Sequence, residues 1–268
     1  MEVTKLFSVE KQTVLITGGG RGIGKMMAEA FVRNGAKVYI SSRSEKACNE
    51  TAAELSAVGP GKCIAIPEDL ASVDGCQRLA DALAKLEQKL DVLINNSGVA
   101  WGGGYDAHTA KAWSKVMDLN VTAPFFLTKF LLPLLHANAR IIMVGSVAGF
   151  KPQASIGSFA YDTSKAALHH LTRVLAADLA PRQITVNAIA PGLVPTKMSK
   201  QISTAVGKGF EEIGANTIPL QRPGQPTDMA GAAIFFASPA AAWITGAVLL
   251  VDGGQVDATH TGGEISKL

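Results

Sequence analysis

Tyr161 and Lys165 stand four positions apart in Tyr-Asp-Thr-Ser-Lys. On a helix that spacing puts a phenol and an ammonium on one face, one turn apart. A cation set beside a phenol can change its acidity, which is what a proton donor to a developing alkoxide needs. The same spacing also fits a tyrosine packed at a helix edge beside a solvated lysine. The pair alone does not decide.

A second group of residues could hold a phosphate. Thr-Gly-Gly-Gly-Arg-Gly-Ile-Gly (17–24) directly follows an apolar run and opens a helical one. Such a turn must pass close to something, and a helix N-terminus presents unpaired N–H groups and a positive dipole end. Gly18, Gly22 and Gly24 are spaced G-x-x-x-G-x-G, not the usual G-x-G-x-x-G of dinucleotide sites. A tight turn with a helix packed close behind is the plain alternative. An NAD-preferring site carries an acid about 20 residues past the glycines, to hold the ribose hydroxyls. Here Ser41-Ser42-Arg43 stands there with no carboxylate. Arg43, with Arg21 in the glycine turn, could pair with a 2′-phosphate instead; otherwise both are solvated arginines. The missing acid favours NADP(H).

These residues need a scaffold. Apolar runs at 13–17, 37–41, 62–66, 91–95, 139–146, 184–191 and 247–252 read as buried strands, separated by amphipathic stretches long enough to be crossover helices. That pattern predicts an α/β fold: one doubly wound, Rossmann-like domain with a seven-stranded parallel sheet and helices on both faces. The 268 residues suffice for one large core, and no linker, repeat or composition shift divides them.

Composition narrows the class. A net charge of +3 without long like-charge runs argues against a nucleic-acid surface. No signal-peptide pattern opens the sequence, and the most apolar stretch, 124–135, is interrupted by Lys129 and Pro133 and is too short to span a bilayer, so a soluble protein is expected. Cys48, Cys63 and Cys76 have no metal spacing and read as buried thiols in a reducing compartment. His169 and His170 read as helix residues without a ligand partner.

Taken together, Thr17–Gly24, Asn95-Asn96-Ser97-Gly98, Ser146, Tyr161-x-x-x-Lys165 and Pro191–Thr196 occur in the order of the short-chain dehydrogenase/reductase family, and the chain resembles that family from about residue 9 to 254. Gly-Ser-Val-Ala-Gly (145–149) is most similar to its 3-oxoacyl-carrier-protein reductase branch, in particular the bacterial reductases associated with rhamnolipid synthesis. Ser97 stands where the family has alanine, and a polar tail follows residue 254. The resemblance implies a catalytic tetrad of Asn120, Ser146, Tyr161 and Lys165. Tyr161 would protonate the substrate oxygen and Ser146 would hydrogen-bond it at the close of strand five. Lys165 would hold the nicotinamide ribose, and Asn120 would support a relay water. Lys165 and the charged nicotinamide should favour phenolate; a fall from about 10 to about 7 amounts to about 4 kcal/mol. For the cofactor, the resemblance adds Gly18, Arg21, Gly22, Ile23 and Gly24 of the turn, with Ser42 and Arg43 after strand two. Asp69 would meet the adenine, and Asn95, with Gly98, would hold the strand-four turn against the cofactor. Pro191, Gly192, Val194 and Thr196 would meet the nicotinamide. Helix caps for Asp69 and Thr196 and a turn role for Asn95 are the alternatives.

Substrate signals are fewer. Met198, Ile202, Val206, Phe210 and Ile213 recur at helical spacing in 196–218, giving a mobile lid that either covers a lipophilic chain or packs on the body. Trp101, Phe150 and Ile156 fall near the expected mouth. The leading reading is an NADPH-dependent reductase of a 3-oxoacyl thioester or similar lipophilic ketone. The same chemistry on a free or polyketide-derived ketone, or run as an alcohol dehydrogenase, competes with it. A silent NADP-binding regulator is the rival from another class, and an intact tetrad speaks against it. Family members are commonly tetramers, and the apolar stretches 125–135 and 164–179 suit a homo-oligomer, dimer or tetramer. The final Ser266-Lys267-Leu268 reads as a peroxisomal address for an import receptor on an accessible tail. Without that use, a cytoplasmic enzyme is expected. An N-terminally fluorescent chain should become punctate only when those three residues are present.

Overall fold

In the computed structural model, Val14 and Ile16 face one side of the first strand and Leu15 the other, and all three are fully buried. A strand apolar on both faces needs cover on both. Residues 2–152, 157–200, 203–204 and 207–258 are described. The strands are β1 (Thr13–Thr17), β2 (Lys37–Ser41), β3 (Lys62–Ala65), β4 (Leu90–Asn95), β5 (Leu135–Val144), β6 (Thr185–Pro191) and β7 (Val248–Val251). They form one parallel sheet in the order β3-β2-β1-β4-β5-β6-β7, as the alternating pattern predicts.

Between the strands run α1 (Gly22–Arg33), α2 (Glu45–Ser56), α3 (Val73–Ala84), α4 (Ala110–Met117), α5 (Ala123–Leu131), α6 (Phe159–Leu179), α7 (Phe210–Thr217) and α8 (Pro226–Ala237). Helices α1, α2 and α8 cover the Val14–Ile16 face, and α3, α5 and α6 cover the Leu15 face. Each fully buried aliphatic side chain there stabilises by about 1.5–3 kcal/mol. Strand order reverses between β1 and β4, so the crevice beyond their carboxyl ends is where a ligand belongs in such a sheet.

Helix α6 positions the opening pair. It runs 21 residues without Gly or Pro, and Lys165, Leu168, His169, Thr172, Leu175, Ala176 and Leu179 form its buried stripe at three- and four-residue spacing. Helices α4 and α5 are joined by a π-helical turn, Asp118–Thr122, with Asn120 buried at its middle. π-turns of this kind widen the helix locally and are frequent at functional sites.

Two expectations change. Strand five begins at Leu135, which pairs with Leu90 beyond a register shift, and it ends at Val144. Ser146 therefore lies outside the strand, as the N-cap of a 3₁₀ turn at Val147–Gly149. The 196–218 segment does not form one helical face among the described residues. Gly207, at φ 69°, interrupts it, and α7 starts only at Phe210. Ile213 and Phe210 pack on Leu193 of the body and on Ile218 at the end of the same segment, while Met198 stays exposed. Ile156, Ile202, Val206 and Ser266-Lys267-Leu268 lie outside the described residues. Among the described residues no helix is long and apolar enough to cross a membrane.

Candidate active site

The glycine turn is closed by hydrogen bonds from two sides. Gly18, at φ 66°, donates its N–H to the Ser41 carbonyl at 2.7 Å. Asn96 donates its side-chain amide to the Thr17 carbonyl at 2.8 Å, while the Thr17 hydroxyl accepts from the Asn96 and Ser97 N–H groups at 3.0 and 2.9 Å. A side chain at Gly18 would come within 2.7 Å of that Asn96 amide, and one at Gly24 would overlap the Gly18 carbonyl. This clamp falls to Asn96 rather than Asn95. Asn95 is buried and turns the other way, donating to Thr128 of α5 at 3.3 Å. Along a strand consecutive side chains point to opposite faces, so only one of the two asparagines could reach the turn.

The turn leaves a cradle. Arg21 is the N-cap of α1 in extended conformation, and its side chain does not cap the helix. The first amides of α1, from Gly22 through Ile23 to Gly24, accordingly have no side-chain acceptor at the cap. Gly22 has φ 55°, and the nearest atoms to a Cβ there belong to Thr196, at 3.5 Å, ordinary contact. The cradle thus faces the loop after β6. That loop is tightly tied: Pro191 ends β6, and Gly192 N–H donates to Val251 at 3.1 Å. Buried Val194 accepts from the Ser199 hydroxyl at 2.6 Å, and Thr196 and Ser199 bond reciprocally, so Thr196 does cap a local turn. Ser42 lies beside the turn, its Oγ 3.0 Å from where a Gly20 Cβ would stand. Arg21 and Arg43 are exposed and make no ion pair among the described residues. Asp69 is also exposed after β3 and accepts from Ala71 N–H at 3.1 Å. The α3 cap is Ser72, so Asp69 does not cap that helix. Amide donors, two free guanidinium groups and a carboxylate-free β2 end fit a dinucleotide with an extra phosphate.

The four tetrad candidates converge beyond β4 and β5. Lys165 Nζ donates to the Val144 carbonyl at 2.8 Å and lies 5.7 Å from the centre of the Tyr161 ring. The Ser146 hydroxyl accepts from Ala148 N–H at 3.2 Å, and its side chain lies near enough to the Tyr161 phenol to influence its acidity. Gly98 brings the β4 turn alongside: a Cβ there would stand 3.3 Å from Asn120 Oδ1 and 3.7 Å from Lys165 Nζ. Asn120 is fully committed. Its Oδ1 accepts from Val99 N–H at 2.9 Å, and its amide donates to the Val99 carbonyl at 3.0 Å and to Ser164 Oγ at 2.9 Å. Its side chain therefore holds the Gly98–Val99 turn onto α6 and has no donor left for a relay water. Ser164, which in turn donates to the Tyr161 carbonyl at 2.7 Å, is a partner that the sequence did not single out.

The protein's own groups oppose the shift expected from Lys165 together with a charged nicotinamide. Burial pushes the Tyr161 phenol above the ordinary tyrosine range; the nearby Ser146 hydroxyl works against this and the Asp162 carboxylate adds to it. Burial also lowers Lys165 to about 8. The protein thus makes the phenol a better-held proton donor rather than a phenolate. The physical reason is that desolvation penalises both charged forms, and the ammonium faces the ring and the Val144 carbonyl.

The family model described as enoyl-(acyl carrier protein) reductase matches residues 18–255. The rhamnolipids biosynthesis 3-oxoacyl-[acyl-carrier-protein] reductase of Pseudomonas aeruginosa is 44% identical over 254 residues, spanning 92% of this chain and 97% of that one. The 7alpha-hydroxysteroid dehydrogenase of Escherichia coli K12 is 36% identical over 252 residues, spanning 92% of this chain and 95% of that one. The solved Pseudomonas aeruginosa RhlG/NADP active-site complex superposes with a TM-score of 0.87 at 43% identity, covering 95% of this chain and 99% of that one.

Proposed function

This chain belongs to the short-chain dehydrogenase/reductase family, and from that premise we propose that it is an NADP(H)-dependent ketoreductase acting on a 3-oxoacyl thioester or similar lipophilic ketone. The observation that carries this reading is the meeting of the Tyr161 phenol, the Ser146 hydroxyl and the Lys165 ammonium at the end of β5, beside the Gly98 turn that follows β4. The reduced nicotinamide supplies the hydride. Tyr161 donates its proton to the substrate oxygen, and Ser146 donates a hydrogen bond to that oxygen as charge builds on it. Lys165 stabilises the phenolate that results and holds the nicotinamide ribose. Asn120 keeps the Gly98–Val99 turn against α6, so the cofactor face of the site keeps its shape. Spectrophotometric NADPH oxidation with acetoacetyl thioesters, bulky cyclic ketones and aromatic ketones tests the proposal; turnover of none of them would overturn it.

A second reading, reduction of a bulky ring ketone, is supported by exposed aromatics near the expected mouth. Trp101 and Phe150 are both exposed, and Tyr105 packs edge-on against exposed Phe159 at 5.7 Å. The same substrate screen separates the two.

Cofactor choice follows from Ser42 and Arg43. A charge-assisted hydrogen bond contributes about 1.5–3 kcal/mol, so Arg43→Ala should weaken NADPH at least about tenfold and leave NADH nearly unchanged. Fluorescence titration of both cofactors checks this, and equal affinity in the wild type would remove the 2′-phosphate site.

Assembly is the remaining expectation. Trp113 of α4, Phe125 of α5 and Val174 of α6 are exposed apolar side chains; α5 and α6 cover the same sheet face, and α4 packs against α6. They suit a homodimer or tetramer. Light scattering at micromolar concentration should give a multiple of 27.9 kDa; a monomer would refute it.

A further inference from the structure

The segment that carries Ser146, Gly-Ser-Val-Ala-Gly-Phe (145–150), is folded around an imidazole. His169 lies one turn beyond Lys165 on α6 and is 3% exposed. Its Nε2 accepts from the Ser146 N–H at 3.5 Å, and the Phe150 ring packs against it, tilted by 41° with ring centres 4.7 Å apart. The hydrogen bond is long, so packing carries most of the contact.

The glycines on either side of Ser146 fit that ring. A Cβ at Gly145 would overlap Nε2 and lie 2.7 Å from Cδ2, whereas the next nearest atom, the Ile189 carbonyl, stands at an ordinary 3.4 Å. Gly145 has no left-handed backbone that would itself demand glycine. Its lack of a side chain therefore answers to the imidazole. At Gly149 a Cβ would meet the ring at 2.6 Å and also the α6 backbone at 2.8 Å, so that position is constrained twice. Burial, with Lys165 and Arg173 nearby, lowers His169 to about 4, which leaves the ring neutral and Nε2 free to accept at working pH.

We propose that His169 is a positioning residue for the reaction: its imidazole fills the gap left by Gly145 and sets the backbone from which the Ser146 hydroxyl reaches the Tyr161 phenol and the substrate oxygen. This rests on the reading of Ser146 given above. A displaced oxygen-binding group slows the chemical step without touching the cofactor cradle, and small displacements at a reacting centre have large effects on rate.

The test is a mutant cycle read by kcat and KM with NADPH and acetoacetyl-coenzyme A, or the ketone that the screen favours. NADPH binding and thermal melting report whether each variant is folded. His169→Ala should lower kcat about tenfold with KM for NADPH within about twofold, and His169→Gln, which keeps an acceptor near Nε2, should recover most of it. Gly145→Ala should lower kcat about tenfold or more in the wild type. In the His169→Ala background the same change should have little effect, because its only close neighbour is gone. Multiplying losses in the double variant would overturn the proposal. So would an unchanged kcat in His169→Ala, or a loss of kcat and NADPH affinity in parallel that Gln does not recover. Ser146→Ala is measured alongside: retained turnover there would instead remove the site reading beneath it.

Discussion

Tyr161→Phe should cut turnover at least ~100-fold while NADPH affinity stays within about twofold. The ring and its packing remain, and the substitution removes only the hydroxyl that faces Ser146 and would protonate the substrate. General acid catalysis of this kind contributes about 10²–10⁴-fold, and its loss appears in kcat when the group acts in the transition state. The raised pKa sharpens the expectation. A phenol held above its ordinary range stays protonated through neutral pH, so ketone reduction should not lose its proton donor between pH 6 and 8. Lys165, lowered to about 8, loses its charge above that value. The reductive rate should therefore fall as pH rises through about 8. Rate profiles of wild type and Tyr161→Phe, each with cofactor binding measured separately, check both statements. A Phe variant that keeps most of its turnover would refute the proton-donor assignment.

The fold was legible because burial on both faces imposes continuous apolar strands, and TVLIT, KVYIS and DVLIN state that without ambiguity. The start of β5 was not, because His-Ala-Asn (136–138) follows Leu135 and reads as polar turn; only pairing of Leu135 with Leu90 makes it strand. Helical spacing across 198–213 suggested one apolar face, yet periodicity does not register a left-handed glycine at 207. In the site, residue types were legible and contacts were not. Asn95 and Asn96 carry the same side chain, and strand alternation sends one to α5 and the other to the glycine turn. The spacing of Tyr161 and Lys165 announced a pair, but its electrostatic sign depends on how deeply both groups are buried, which no spacing encodes. His169 meets Ser146 across 23 positions, beyond any local pattern.

Lys165→Met should stabilise the folded protein at pH 7 while it removes activity. The Lys165 ammonium is buried, and its one direct hydrogen-bond acceptor among the described residues is the Val144 carbonyl. With a folded value of about 8 against 10.5, the folded chain holds this proton less tightly than the unfolded one. Below pH 8 both states are protonated and the fold carries the whole cost of the buried charge, about 3 kcal/mol. Between pH 8 and 10.5 the folded state has released the proton and the unfolded state has not, so the wild type gains stability as pH rises. Methionine fills similar volume without charge, but it leaves the Val144 carbonyl without its donor, which offsets about 1–2 kcal/mol. A net gain of about 1–2 kcal/mol corresponds to a melting temperature higher by roughly 2–8 °C for a chain of this size. The same substitution removes the charge assigned to the phenolate and the ribose, so kcat should fall at least ~100-fold and NADPH should bind more weakly. Because other groups titrate in both proteins, the difference between variant and wild type isolates Lys165. That difference should be largest at pH 7 and shrink by pH 10. A variant that melts below the wild type at pH 7, or a difference that does not change with pH, would show that the buried ammonium is not a strain on the fold; full activity in the variant would show that it is not part of the chemistry.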